Sequence, residues 1–192
     1  MADTPMTKIA AKTAGEICEL FPLGEPGRAL LKEGQTPAAL LLLLLENGQF
    51  PDAVQMLANA LPKREAVGWA WACANDGHGK TPEPKVAAAL QATRKWVVDP
   101  SEENRRLAQK ASDAASLSTA AGCAAGAAFW SGGSMAAANQ PVVPPDDKLT
   151  AKGVGGAVLL AGVIGEPAQA MARYRRYVEL GIEVARGATP WK

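Results

Sequence analysis

Residues 36–48 read TPAALLLLLLENG, and they carry both ends of a helix. Thr36 offers a capping oxygen, and Pro37 sits at the first helical position, where its missing N–H is no loss. Asn47-Gly48 is a stop, because glycine takes the backbone turn that ends a helix. Between these signals the leucines Leu40–Leu45 cover every side of the rod, so other elements must wrap it. The reading predicts a central helix. The apolar run extends only from Ala38 to Leu45, whereas a bilayer span needs roughly 20 residues. It therefore belongs in a protein core.

The same punctuation extends along the chain. Phe50-Pro51 opens a helix with Val54, Leu57, Ala58 and Leu61 at helical spacing, and Leu61-Pro62 closes it. Residues 63–76 form the next, with Ala66, Trp69 and Cys73 on one stripe. Pro84 begins another that runs through Val98. At Asp99-Pro100-Ser101-Glu102, Asp99 is placed to cap and Glu102 to reach back, as in a capping box. The helix that follows runs to about Ala115. Thr119 to Trp130 (TAAGCAAGAAFW) is built of small residues that let neighbouring backbones come close. Residues 131–147 (SGGSMAAANQPVVPPDD) break the pattern as a long loop, and loops of that length are often functional. Residues 149–164 resume as an apolar helix. Glu166-Pro167 starts the last one, which ends near Gly187, with Met171, Tyr174, Val178 and Ile182 on one stripe. The count is roughly eight to ten helices and no strand pattern. The predicted fold is all-α: an irregular multi-helix bundle with HEAT-like helix pairs and no sheet, one domain over residues 1–192.

Composition limits the function. Across 192 residues the formal net charge is +1, with none of the basic excess that marks a nucleic-acid surface. The three cysteines, Cys18, Cys73 and Cys123, lie far apart and form no CxxC pair, which suits reduced thiols in a cytoplasmic protein. The opening residues MADTPMTKIA have neither the basic start nor the apolar core of a secretory signal.

Few stretches suggest chemistry. Residues 75–81, NDGHGKT, resemble the end of a phosphate-binding loop, which requires G-x-x-x-x-G-K-[ST] after a buried strand. The first glycine of that pattern would fall at Ala74, the segment before it is helical, and Pro82 follows at once. The stretch reads instead as a polar turn, with Asn75-Asp76-Gly77 as helix stop and Thr81 as a start signal. His78 is the only histidine and has no cysteine as sequence neighbour, so no metal or cofactor site is expected. Ser131 in WSGGS lacks the G-x-S-x-G turn of a serine nucleophile. Glu16, Glu19, Glu102 and Glu103 are spaced as on solvated helix faces. No catalytic residue is assigned.

Surface contact remains. Five tryptophans accompany only three phenylalanines and two tyrosines, and most should fill the volume that alanines leave. Trp130 beside the long loop and Trp191 at the C-terminus are candidate partner contacts, with Met135, Val142 and Val143 of the loop. The basic residues Arg173, Arg175, Arg176 and Arg186 read as the solvated side of an amphipathic last helix.

The stretches LPKREAVGWAWACA, RKWVVDPSEENRRLAQKASDAA, AGCAAGAAFWSGGSMA and VARGATPWK together resemble an uncharacterised bacterial family of all-helical proteins, over roughly residues 15–191. The resemblance implies a helical domain encoded near type VI secretion components and forkhead-associated-domain proteins, with no enzymatic residues to carry over. Trp96, the Asp99-Pro100 joint and the alanine-rich helices are similar, more weakly, to helical toxin-immunity proteins. The expectation is a non-enzymatic cytoplasmic adaptor or co-chaperone whose partner is another protein: a secretion component, an effector or a toxin. An immunity protein is the alternative, and an enzyme with an unrecognised helical site comes third.

Overall fold

Thr13, Thr36, Ser101 and Thr119 each turn the chain into a helix by accepting the backbone N–H three residues on. In the computed structural model, which describes residues 5–137 and 139–192, these caps open four of ten α-helices. They are α1 (Ala14–Cys18), α2 (Glu25–Arg28), α3 (Pro37–Glu46), α4 (Phe50–Ala60), α5 (Lys63–His78), α6 (Pro84–Val98), α7 (Glu102–Ala115), α8 (Ala120–Phe129), α9 (Leu149–Val163) and α10 (Ala170–Ala185). A 3-10 turn, Pro167–Gln169, precedes α10, and no strand occurs among the described residues. The all-α reading holds. Residues 1–4 and Ala138, inside the expected domain and loop, lie outside the described residues.

Three helix ends differ from expectation in their stop or in their cap. α5 does not stop at Asn75-Asp76-Gly77 but continues to His78 and ends on Gly79, whose φ is +67°. Gly77 stays helical because α9 presses on it: a Cβ there would lie 3.1 Å from the Ala161 carbonyl. The cap of α7 is Ser101, while the Asp99 carboxylate accepts from the Asn104 side chain at 2.9 Å. α6 starts directly on Pro84, with no side-chain cap from Thr81.

The centre of the bundle is α8, not the leucine-rich α3. All ten residues of α8 are buried, and it packs against α5, α6, α7 and α9. α3 buries Leu40, Leu41 and Leu44 against α1 and α4 but leaves Leu42 47 % exposed. The reason is geometric. Neighbours packed this closely around α8 leave room for alanine and glycine, whereas a rod with leucine on every side holds its neighbours further off and here packs on one side only. At the tightest point, a Cβ on Gly153 of α9 would lie 2.9 Å from the Cβ of Ala127 and 3.2 Å from its backbone. The two helices touch main chain to main chain.

From α5 to α10 each helix packs on the next, as α3 does on α4, and α9 and α10 also return to α4 and α5 and close the bundle. α10 is fastened to α5 by polar contacts. The indole N–H of Trp69 donates to the Tyr177 carbonyl at 2.8 Å, the Tyr177 hydroxyl donates to the Asp76 carboxylate at 2.7 Å, and Arg176 pairs with the same carboxylate. Buried side chains from Ala14 to Trp191 form one continuous apolar cluster. Among the described residues, no helix is long and apolar enough to cross a membrane.

Replacing Gly153 by valine forces α9 away from α8 at a place where only backbone and a methyl could yield. Urea denaturation should show a loss of about 1–3 kcal/mol, the usual range for overpacking. An unchanged midpoint would mean that the α8–α9 contact is not close-packed.

Candidate protein-interaction site

The described residues between α8 and α9 have no regular secondary structure, yet they are tied down from one side by α7. Arg105 lies on the inner face of that helix and is only 4 % exposed. Its Nη1 donates to the Phe129 carbonyl at 2.7 Å and its Nη2 to the Ser134 carbonyl at 2.9 Å. The same guanidinium binds both oxygens of Glu102, at 2.5 and 2.7 Å, and stacks over the Phe129 ring with its centre 4.8 Å away. Arg106 adds a bond to Glu102 at 2.9 Å and another to the Ala136 carbonyl at 2.8 Å. Gly133, with φ +67°, lets the chain pass over the guanidinium, where a Cβ would come within 2.9 Å of its carbon. An L side chain would be both strained and obstructed there.

Beyond the clamp the segment folds back on itself. The Met135 N–H donates to the Val143 carbonyl at 2.7 Å, and the Ser134 hydroxyl accepts from the N–H groups of Ala136 and Val143. At the base of the loop the Thr150 hydroxyl donates to the Trp130 carbonyl at 3.0 Å. Val142 is thereby held 76 % exposed and Val143 46 % exposed, flanked by Pro141, Pro144 and Pro145. Met135 and Trp130 are half-buried. Four of the five candidate contact residues therefore belong to one segment and its anchor.

The fifth does not. Trp191 is 3 % exposed and lies flat on α5, where a Cβ on Gly68 would be 2.3 Å from its ring. As a contact for a partner this residue is corrected: its indole is a core side chain that closes the bundle against a glycine notch. Trp191→Ala should destabilise the protein by about 3–5 kcal/mol, the cost of emptying a buried aromatic site. A thermal melt unchanged by the substitution would return Trp191 to the surface.

Glu102 was expected on a solvated face, and its side chain is indeed partly open to solvent, but it bridges two arginines. The hydrogen bond from Arg105, with further help from Arg106, holds its carboxyl down at about 2, against an ordinary value of 4.5. A lowered carboxyl pKa favours the folded state fully above pH 4.5, and that contribution is lost as pH falls towards 2. Between those values the melting temperature of the wild type should fall more steeply than that of Glu102→Gln. Parallel slopes would show that Glu102 is not linked to folding.

The other sequence candidates have structural partners. Arg173 donates to the carbonyls of Gly162 and Glu166, Arg175 to that of Leu45, Arg176 pairs with Asp76, and Arg186 with Glu183. The basic side of α10 thus ties helix ends and loops together. The NDGHGKT stretch borders an open depression of about 670 Å³ with Trp71, Asp76 and Lys80 on its wall. It forms no ring of N–H groups after a strand. Burial lowers the pKa of His78, and its Nε2 is enclosed without a hydrogen-bond partner. Among the described residues, no group of three or more His, Cys, Asp or Glu side chains is placed to hold a metal ion. All three cysteines are free thiols, and burial pushes each of them up in pKa. The residues that organise the loop, Arg105 and Arg106, carried no signal in the sequence beyond a helical stripe. The carbonyls they bind come from α8 and the loop.

Comparison with known proteins places this helical architecture in a family. A family model described as a family of unknown function, DUF6931, matches residues 40–185, and the chain belongs to that family. The matched region contains α4 to α10, the arginine clamp and the whole of residues 131–147. No curated protein matches the chain. No solved structure matches it either.

Proposed function

We propose that this chain is a non-enzymatic interaction protein of the bacterial cytoplasm, and that residues 131–147 present its contact. The observation that carries this reading is Val142, 76 % exposed next to the 46 % exposed Val143, on a segment that a buried arginine clamps in place. Exposed apolar side chains on a mobile tail would be unremarkable. Held in a fixed position they form a preorganised anchor, which lowers the entropy lost on binding. Half-buried Met135 and Trp130 would form the floor under a partner's side chain. Free thiols in all three cysteines suit a reducing compartment.

The sequence resemblance to proteins encoded beside type VI secretion components supplies the class of partner: a component of that machine or one of its effectors. In this role the protein would be an adaptor or co-chaperone that holds its client through a rigid helical surface. The test is affinity capture from the source cell with wild type and with the Val142→Asp/Val143→Asp double variant. Wild type should recover a secretion component or effector, and the variant should lose at least tenfold of it, which corresponds to about 1.4 kcal/mol. Equal recovery by both proteins would remove the loop from the contact. Recovery of a toxin instead would make the protein an immunity factor.

A further inference from the structure

Away from the loop residues just described, the outer side of α6 is lined by three adjoining depressions that share Gln91. Their volumes are about 670, 320 and 460 Å³. The middle one lies between α6 and α7, on a floor of Ala88, Ala92 and Ala111 with Leu107 beside it. Leu107 is 39 % exposed, and Val98 at the far end is 52 % exposed. Lys80, Arg94, Lys95 and Lys110 stand along the walls. Among the described residues, none of these four cations has a carboxylate partner within salt-bridge distance. The guanidinium of Arg94 lies over the Trp71 ring, 5.9 Å from its centre.

Two carboxylates line the same surface, and both are engaged. Asp76 takes Arg176 and the Tyr177 hydroxyl, and Asp99 takes the Asn104 amide. Glu103 and Asp113 of α7 do not line the depressions. In a chain whose net charge is only +1, Arg94, Lys95 and Lys110 thus stand without acidic partners along the groove between α6 and α7, over an apolar floor, while Lys80 borders the depression on the α5 side of α6.

We propose that this α6–α7 groove binds an acidic amphipathic helix of a partner protein. The proposal rests on reading the chain as an interaction protein, but it assigns a second contact made of different residues. The occupant is a helix for steric reasons. Alanines on the floor let a third rod settle at the usual interaxial distance of about 8–10 Å, and the described residues include no sheet edge to pair with an extended strand. The α6 residues that line the groove run from Ala88 to Val98, so at 1.5 Å per residue it is about 16 Å long and matches about three helical turns. The occupant's apolar stripe would cover Leu107 and Val98, and its flanking carboxylates would meet Lys95 and Lys110.

Nucleic acid fits this surface less well. The positive charges of the groove are few, its floor is apolar, and no aromatic ring is among its lining residues; Trp71 borders the depression on the α5 side and already has Arg94 on its face. A small inorganic anion would need the cations to converge on one point, and they are spread along the groove.

The probe is a fluorescent synthetic peptide of about 18 residues with leucine and alanine on one helical face and glutamate on the other. Fluorescence anisotropy with the full chain should give a Kd on the order of 10 μM in low salt, weakening as ionic strength rises. Lys95→Glu/Lys110→Glu and Leu107→Asp should each raise the Kd at least tenfold, with circular dichroism showing that both variants stay folded. Lys148→Glu/Lys152→Glu imposes the same charge change outside the groove and should leave binding within about twofold, a difference well below 1 kcal/mol. Val142→Asp/Val143→Asp should bind the peptide as wild type does, so that failure of the loop contact and failure of the groove are separate results. The proposal is overturned if the peptide does not bind, if the two lysine swaps weaken it equally, or if a scrambled peptide of the same composition binds as well. Tighter binding through Lys95 and Lys110 to a single-stranded oligonucleotide or to phosphatidylserine vesicles would also overturn it.

Discussion

Main-chain contact between α8 and α9 is the constraint around which the bundle is arranged. Where Gly153 meets Ala127 there is only backbone and one methyl, neither of which can change rotamer, so the spacing of the two helices is fixed there. Dispersion attraction falls steeply with small gaps, and a close backbone contact therefore has one favourable separation rather than a range. With α8 pressed against α9, and α5, α6 and α7 around it, the position of its C-terminal end is determined as well. That end carries Phe129 and Trp130, and the loop departs from it.

Arg105 converts this rigidity into order in a segment that has no secondary structure. Burying a guanidinium is costly unless its donors are used. Here the donors reach Glu102, the Phe129 carbonyl and the Ser134 carbonyl, and the cation also lies on the Phe129 ring. The planar fork of arginine suits this task because it can address a carboxylate and two carbonyls at once, which a lysine ammonium could not reproduce. The carbonyls of a turn are usually left to solvent. In this protein several of them face inward to arginines, so the outward side of the same turn carries Val142 and Val143.

The distribution of charge follows a similar logic. Arginines of α7 and α10 face carbonyls and carboxylates and act as internal fasteners. Lysines on α6 and α7, with Arg94, face solvent without acidic partners. A nearly neutral total thus conceals two populations of cations with different surroundings. Only the second is available to attract another molecule.

Much of this was legible in the chain itself. Thr36-Pro37, Thr119 and the Gly and Pro joints specify helices through local hydrogen bonding and steric exclusion, which need no tertiary context, and the periodic apolar stripes then dictate an all-α bundle. The same local signals marked residues 131–147 as the one long interruption. What they could not settle is which helix is innermost, because an all-leucine segment and an all-alanine segment both look buried. Enclosure by four neighbours favours the smaller side chains, and that competition exists only once the helices meet. Trp191 shows the same limit: a residue near the end of the chain looks peripheral, but its exposure depends on Gly68, far away in sequence. The arginine clamp and the cationic groove are likewise tertiary facts, since whether a charge is paired depends on which carboxylates and carbonyls the folded chain brings within a few ångströms of it.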